Sequence, residues 1–101
     1  MKKRNIILIG MPGAGKSSVG VILAKALGYE FIDTDLVIQH REKRLLREII
    51  ADEGNEGFLA IENEVNATLE ADKSVIAPGG SAIYGKEAME HFKEIGTIVY
   101  L

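Results

Sequence analysis

The sequence predicts a three-layer α/β fold in which helices cover both faces of a parallel sheet. Short apolar runs alternate along the chain with segments whose apolar residues recur at helical spacing. The runs are continuously apolar rather than alternating, which is typical of strands buried on both faces. A chain of 101 residues supports one core. We therefore expect a single domain over residues 1–101.

Four strands and the helices between them account for the chain in order. The first strand covers residues 5–10, and the helix after it begins at Lys16 and is capped by Gly28. The apolar stripe of this helix is predicted to be Val19, Ile22, Leu23, Ala26 and Leu27. The second strand, residues 29–32, finishes at Asp33. Later elements are two short helices before Gly54, a helix over 58–71, a strand over 74–77, a helix over 86–93 and a strand over 97–101.

Composition and charge exclude several classes of function. The formal net charge of −3 favours neither nucleic acid nor an anionic membrane as a partner. The absence of cysteine excludes disulfides, thiolate metal sites and cysteine nucleophiles. The apolar run at residues 6–9 is too short for a signal peptide, and no segment approaches the length of a membrane span. We expect a cytoplasmic protein.

Residues 10–17, Gly-Met-Pro-Gly-Ala-Gly-Lys-Ser, match the pattern G-x-x-x-x-G-K-[ST] at every fixed position. The pattern lies between a buried strand and a helix, where backbone N–H groups and the helix N-terminus can bind phosphate. Lys16 can reach the β- and γ-phosphates, and the Ser17 hydroxyl can ligate Mg²⁺. The alternative is a glycine-rich turn that binds nothing. The residues predicted to bind the nucleotide are Gly10, Met11, Pro12, Gly13, Ala14, Gly15, Lys16, Ser17 and Ser18.

Two aspartates follow the second strand at once, on either side of Thr34. Ligands of parallel sheets bind outside the carboxyl ends of the strands, so Asp33 and Asp35 are expected beside the phosphate loop. One carboxylate can then hold a magnesium-bound water while the other accepts a proton from an attacking hydroxyl. The alternative makes Asp35 the N-cap of the following helix.

Residues 10–20, 24–28 and 31–35 together resemble the opening of the shikimate kinases. The resemblance continues through residues 53–58 to Glu62 and through residues 78–80, so it extends over essentially the whole chain. That family transfers the γ-phosphoryl group of ATP to a hydroxyl of shikimate. The resemblance implies the small P-loop kinase fold with ATP and Mg²⁺. It also implies that Asp33 lies near magnesium and that Asp35 acts on the acceptor hydroxyl. In the leading interpretation Asp35 is the catalytic base and Lys16 stabilises charge, while Ser17 and Asp33 hold magnesium.

Two departures from the family pattern concern the acceptor. Leu59 stands where the family has an arginine that binds the acceptor's carboxylate, and losing such a charge-assisted contact costs about 1.5–3 kcal/mol. Ser81 follows Gly79 and Gly80 where the family usually has a third glycine, and it adds bulk, a hydroxyl and a restriction on positive φ. We expect these three residues to contact the acceptor; the alternative for the glycines is a plain turn. Glu62, whose counterpart pairs with the missing arginine, is expected to be partly exposed, paired with a lysine, or part of a different acceptor site.

Three functions remain open. The leading one is ATP-dependent phosphoryl transfer to a small-molecule hydroxyl, with shikimate or a relative as the acceptor. The same chemistry on a different acceptor is the second, because Leu59 removes a carboxylate anchor. The third is a nucleotide-binding module without catalysis.

The chain stops inside an apolar strand, so we expect a fold truncated before the family's lid and last strand, with an intact minimal domain as the alternative. A lid arginine can contribute roughly 10³–10⁵ in rate. The 101 residues alone are therefore expected to bind nucleotide weakly and to turn over poorly. If the first strand is central, residues 97–101 form an unprotected edge, which predicts self-association through that strand.

Overall fold

A computed structural model describes residues 4–10 and 15–101. Within these ranges the strands are β1 (Asn5–Ile9), β2 (Glu30–Asp33), β3 (Ser74–Ala77) and β4 (Gly96–Tyr100). The helices are α1 (Lys16–Leu27), α2 (Thr34–Glu42), α3 (Leu46–Ala67) and α4 (Lys86–Ile95), with a 3₁₀ turn at Ala82–Tyr84 before α4. The predicted order of elements is confirmed, except that the second short helix and the helix predicted over 58–71 are joined as α3. The 3₁₀ turn is an addition to the prediction.

The four strands form one parallel sheet in the order β2-β3-β1-β4. β1 lies in the centre, with Ile7 opposite Ile76 of β3 on one side and Ile98 of β4 on the other. The expectation that the first strand is central and the last strand an edge is confirmed. β3 separates β2 from β1, so the residues after β3 lie between the two aspartates and the helix that begins at Lys16.

The two inner strands, β1 and β3, are buried on both faces, which explains why their sequences do not alternate. On one face Ile7 and Ile9 pack in a cluster with Phe92 of α4. On the other face Leu8 packs in a cluster with Ala24 of α1 and Val75 of β3. Successive side chains of a strand point to opposite faces, so β1 needs apolar residues at every position. The three-layer α/β architecture is confirmed.

Asn5 begins the central strand and is buried, although it is polar. Its side-chain amide donates hydrogen bonds of 2.9 Å to the carbonyl oxygens of Ala71 and Ile95. Its side-chain oxygen accepts a hydrogen bond of 3.0 Å from the backbone N–H of Ser74. One side chain thereby joins the start of β1 to the start of β3 and to the end of α4.

α1 begins at Lys16 and ends at Gly28, as predicted, but its buried face differs from the predicted stripe. Val19 and Ile22 are 42% and 69% exposed, whereas Gly20 and Ala24 face the sheet. A Cβ atom at Gly20 would lie 2.5 Å from a ring carbon of Phe31. The smallest residue of the helix therefore sets the approach to the sheet. Of the predicted stripe, Val19, Ile22 and Leu27 turn outward, and Leu23 packs partly against the sheet.

α2 and α3 form a hairpin with an apolar cluster of its own, built on Ile38, Ile49 and Val65. Gly54 interrupts α3 with φ 74° and ψ 175°, which is the break predicted before Gly54. The second half of α3 ends at Ala67 rather than near residue 71. Within residues 4–10 and 15–101, no helix combines the length and the apolar character needed to cross a bilayer.

Candidate functional site

A cavity of about 200 Å³ opens at the carboxyl edge of the sheet. Three separate stretches of chain meet there: the start of α1, the junction of β2 with α2, and the loop after β3. The lining residues are Lys16, Ser17, Asp33, Asp35, Ala77, Pro78, Gly79 and Gly80. The sequence predicted most of this set, and the structure brings those residues together around one space.

Lys16 is the first residue of α1, and its side chain turns toward this cavity. Its ammonium group donates a hydrogen bond of 2.9 Å to the carbonyl oxygen of Pro78. Gly15 precedes the helix with φ 80°, a left-handed conformation that favours glycine. Lys16 is therefore positioned where it lines the space together with the loop after β3.

The predicted phosphate loop is described in part. Gly10 follows β1 directly, and Gly15 leads into α1. The predicted nucleotide contacts of Met11, Pro12, Gly13 and Ala14 lie outside the described residues. Ser17 lines the cavity, whereas the exposed Ser18 lines a separate surface hollow on α1.

Asp33 is the N-cap of α2: its side chain accepts a hydrogen bond of 2.9 Å from the backbone N–H of Asp35. The alternative that makes Asp35 the N-cap is therefore wrong, because the helix begins at Thr34, two residues earlier than that alternative requires. The side chain of Asp35 does not cap the helix, and Asp35 lines the cavity. Burial and the nearby Asp33 carboxylate raise the pKa of Asp35, while the Lys16 ammonium opposes that rise.

Gly79 lies directly against two carboxylates. A Cβ atom at this position would lie 2.8 Å from Asp35 Oδ1 and 3.0 Å from Glu62 Oε2. The absence of a side chain at Gly79 thus allows both carboxyl groups to approach the loop after β3. Gly79 and Gly80 do more than end a strand, since both line the cavity.

Ser81 does not restrict a positive φ, because its backbone has φ −90° and ψ 2°. That expectation was wrong: the loop turns here in a conformation that any residue adopts. The Ser81 hydroxyl donates a hydrogen bond of 2.7 Å to Glu62 Oε1 instead of lining the cavity. The hydroxyl can still accept a hydrogen bond, so the predicted contact of Ser81 with an acceptor stays a prediction.

Glu62 lies on α3 and is only 2% exposed. Of the three alternatives for Glu62, partial exposure is wrong, because the second half of α3 packs this residue behind Gly79. No hydrogen-bond partner for Glu62 Oε2 occurs within the described part of the chain. Burial raises the pKa of Glu62 and the Asp35 carboxylate adds to the rise, while the Ser81 hydroxyl and the Lys16 ammonium lower it.

Leu59 lies three residues before Glu62 on the same helix and is 36% exposed. Two of the three arginines nearest to it in sequence have partners in the α2–α3 hairpin, and the third, Arg47, is exposed on α3. Arg41 pairs with Glu64. Arg44 pairs with Glu42 at the end of α2 and with Asp52 on α3. The guanidinium groups of Arg41 and Arg44 are engaged in the hairpin, so neither replaces the carboxylate-binding arginine that the family has at the position of Leu59.

A family model described as shikimate kinase matches residues 12–101. The chain belongs to the shikimate kinase family. Among curated members of the family, shikimate kinase 2 of Yersinia enterocolitica is 40% identical over 98 residues, which are 97% of this chain and 56% of the relative. Shikimate kinase 2 of Yersinia pseudotuberculosis is 38% identical over the same shares of the two chains.

Solved structures give the same picture of this shikimate kinase family member. The shikimate kinase of Acinetobacter baumannii, in complex with shikimate, superposes with a TM-score of 0.86 at 39% identity and covers 97% of this chain and 55% of its own. A gluconokinase of Sinorhizobium meliloti superposes with a TM-score of 0.54 at 25% identity, over 97% of this chain and 57% of its own. The chain thus spans about half the length of the relatives it matches.

Sequence reasoning missed two contacts of this family member's site. The Lys16–Pro78 hydrogen bond joins residues 62 positions apart, and the Ser81–Glu62 hydrogen bond joins residues 19 positions apart. The available sequence signal for the Ser81–Glu62 contact was that Leu59 and Ser81 both depart from the family pattern and lie on either side of Glu62.

Proposed function

We propose that this chain carries the site for ATP-dependent phosphoryl transfer to a hydroxyl of a small molecule, with shikimate as the leading acceptor. One observation carries the proposal: a single cavity is lined by Lys16, Ser17, the two aspartates and the loop after β3. Phosphoryl transfer requires mainly positioning and electrostatic stabilisation, and this set of groups supplies both.

In the proposed reaction, Lys16 and the backbone N–H groups of the phosphate loop bind the β- and γ-phosphates of ATP. The ammonium group has three donors, so it can contact phosphate oxygens from the position where it now contacts Pro78. Lys16 then stabilises the negative charge that develops on the transferred group and on the departing ADP.

Ser17 and Asp33 are the proposed holders of Mg²⁺. Both line the cavity, and a hydroxyl with a carboxylate is a set of hard oxygen donors that suits this ion. One oxygen of Asp33 is engaged by the Asp35 backbone N–H, which fixes the carboxylate and leaves its other oxygen for an ion or its water. When bound, Mg²⁺ would neutralise charge on the phosphates.

Asp35 is the proposed general base. The acceptor oxygen forms a bond to the γ-phosphorus, the bond from that phosphorus to the β,γ-bridging oxygen breaks, and the hydroxyl proton passes to the Asp35 carboxylate. A raised pKa suits this role, because it brings the carboxylate's proton affinity closer to that of a useful base at neutral pH. Gly79 and Gly80 offer backbone contacts to the acceptor beside it.

The choice of shikimate is supported by the A. baumannii relative, whose solved structure is a complex with shikimate. A different acceptor is the second candidate, and Leu59 favours it, because leucine cannot bind a carboxylate as an arginine does. The likeness to a gluconokinase is consistent with a change of acceptor on this fold. A nucleotide-binding module without catalysis is the third candidate, in which the departures at Leu59 and Ser81 mark a degenerate kinase.

Nucleotide binding is tested by titrating the chain with a fluorescent ATP analogue and Mg²⁺. Lys16→Met should weaken binding by about tenfold or more, because it removes a charge-assisted contact to phosphate. Lys25→Met is the matched control: it removes the same charge from the exposed last turn of the same helix and should leave binding unchanged. Equal affinities for the wild type and Lys16→Met would refute the proposed phosphate site.

Phosphoryl transfer is tested by acceptor-dependent ADP release and by ³¹P NMR of the product. The panel contains shikimate, its methyl ester and a neutral cyclic polyol, so that carboxylate and hydroxyl recognition are separated. Asp35→Asn should reduce acceptor-dependent release by about 10²–10⁴-fold, as expected for loss of a general base. Glu56→Gln, an exposed carboxylate on α3, is the control. Binding of ATP without acceptor-dependent release for any panel member would favour the nucleotide-binding module.

A further inference from the structure

Glu62 is a buried carboxylate with an incomplete set of partners. It is 2% exposed, Ser81 satisfies Oε1 at 2.7 Å, and Oε2 has no hydrogen-bond partner among residues 4–10 and 15–101. Burying an ionised carboxylate is costly unless hydrogen bonds or opposite charge compensate it. The energetic cost of burying the Glu62 carboxylate therefore suggests that this residue has a role in the site.

The place of Glu62 is directly behind the loop that lines the cavity. Glu62 Oε2 and Asp35 Oδ1 both approach the position that a Cβ of Gly79 would occupy, at 3.0 Å and 2.8 Å. Because both oxygens lie within 3.0 Å of one point, they are separated by no more than about 6 Å. Like charges this close repel each other, so the position of the Glu62 carboxylate affects the orientation of the Asp35 carboxylate.

The charged groups that face Glu62 are few. Asp35 raises its pKa and Lys16 lowers it, and the Ser81 hydroxyl is the remaining group that favours the ionised form. Leu59, one turn earlier on α3, supplies no positive charge. Ser81 thus provides the direct contact to the Glu62 carboxylate, while Lys16 contacts the Pro78 carbonyl oxygen.

We propose that Ser81 and Glu62 form a positioning pair for the acceptor side of the site. The Ser81 hydroxyl holds one oxygen of the Glu62 carboxylate, and that carboxylate in turn fixes Gly79 and the orientation of Asp35. The pair thereby substitutes for the anchoring that a basic residue at position 59 would give. This proposal rests on the proposed function for its effect on the reaction, but the pairing itself can be measured without turnover.

The pairing is tested in the full 101-residue chain by following the side-chain carboxyl ¹³C signals during a pH titration. Ser81→Ala should raise the pKa of Glu62, because the variant removes a hydrogen bond to the ionised form. It should also shift the Asp35 carboxyl and Gly79 amide signals. Ser81→Thr keeps a hydroxyl and should restore the wild-type titration of Glu62.

The control is Thr68→Val, which removes a hydroxyl bonded at 2.8 Å to the Glu64 carbonyl, near the end of α3. This variant should leave the titration of Glu62 unchanged. An unchanged pKa of Glu62 in Ser81→Ala, or a Thr variant that behaves like the Ala variant, would overturn the pairing, because a space-filling serine would give those results.

The effect on the reaction is tested separately. Ser81→Ala and Glu62→Gln should raise the KM for the acceptor by about tenfold and leave the KM for ATP within about twofold, since neither residue lines the nucleotide side. Equal increases in both constants would overturn the acceptor role. If the wild type shows no transfer to any acceptor, the proposed function fails for this chain, while the titration still decides whether the pair exists.

Discussion

Gly79→Ala would place a methyl group between the two carboxylates that meet behind the cavity. The new Cβ would lie 2.8 Å from Asp35 Oδ1 and 3.0 Å from Glu62 Oε2, whereas ordinary contacts of this kind begin near 3.4 Å. The Asp35 carboxylate must therefore retreat by about 0.6 Å and the Glu62 carboxylate by about 0.4 Å. Glu62 is buried and held by Ser81, so we expect Asp35 to move more.

Gly79→Ala is expected to lower the free energy of unfolding modestly and to reduce turnover more strongly. Overpacking of this kind lowers the free energy of unfolding by about 1–3 kcal/mol. A displacement of a reacting group by a large fraction of an ångström can reduce turnover by about 10²-fold. Urea denaturation measures the first quantity and acceptor-dependent ADP release the second. The Asp35 carboxyl ¹³C signal reports the displacement even in a protein that does not turn over.

Gly28→Ala is the matched control for stability. Gly28 has φ 70° at the end of α1, and a Cβ there would meet no atom within 4 Å. Alanine in this left-handed conformation costs about 1–2 kcal/mol without touching the cavity. The reasoning is refuted if Gly79→Ala leaves both the Asp35 signal and acceptor turnover at wild-type values. It is refuted equally if Gly28→Ala reduces turnover as much as Gly79→Ala does.

Four further outcomes are expected elsewhere in the fold. Gly20→Ala should lower the free energy of unfolding by about 1–3 kcal/mol in urea denaturation, because its Cβ would lie 2.5 Å from the Phe31 ring; an unchanged midpoint would contradict this. Asn5→Ala should cost about 3 kcal/mol or more in the same assay, since three buried backbone groups lose their partner, and a loss below about 1 kcal/mol would argue against that role. Burial raises the pKa of Glu62 in the folded protein above its unfolded value, so the ionised carboxylate destabilises the fold at pH 7 and the penalty fades as the pH falls through the folded pKa. Glu62→Gln should therefore raise the free energy of unfolding by about 1 kcal/mol at pH 7 and by nothing measurable near pH 3, and an equal gain at both values would exclude this cause. Tyr100→Lys should weaken any self-association through β4 by about tenfold in sedimentation equilibrium, because lysine on an edge strand opposes pairing; a wild type that stays monomeric at high concentration would remove the basis for this expectation.

The parts of the fold that the sequence predicted depend on local signals. The strand over 74–77 agrees with β3 at both ends, and α1 begins at Lys16 and ends before Gly28, because glycine and periodicity act within a few residues. The phosphate-loop pattern placed Lys16 and Ser17 correctly at the cavity for the same reason.

The parts that the sequence did not predict depend on contacts between distant elements. The prediction of the buried face of α1 was wrong because Gly20 packs against the ring of Phe31 on β2. Helical periodicity cannot reveal a contact with another element. The burial of Glu62 and its bond to Ser81 required the loop after β3 to lie against α3. The role of Asp33 as N-cap was missed because either aspartate satisfies the capping preference in sequence.

The position of β1 has a consequence for how the chain reaches its native state. Its partners are β3 and β4, so the first strand of the chain pairs with segments that begin at Ser74 and Gly96. Contacts of such long sequence separation slow folding, because the intervening chain must be ordered before they form. During synthesis, the amino-terminal strand must therefore stay unpaired until its first partner, β3 at residues 74–77, has left the ribosome. In that interval the unpaired apolar strand is open to pairing with other chains.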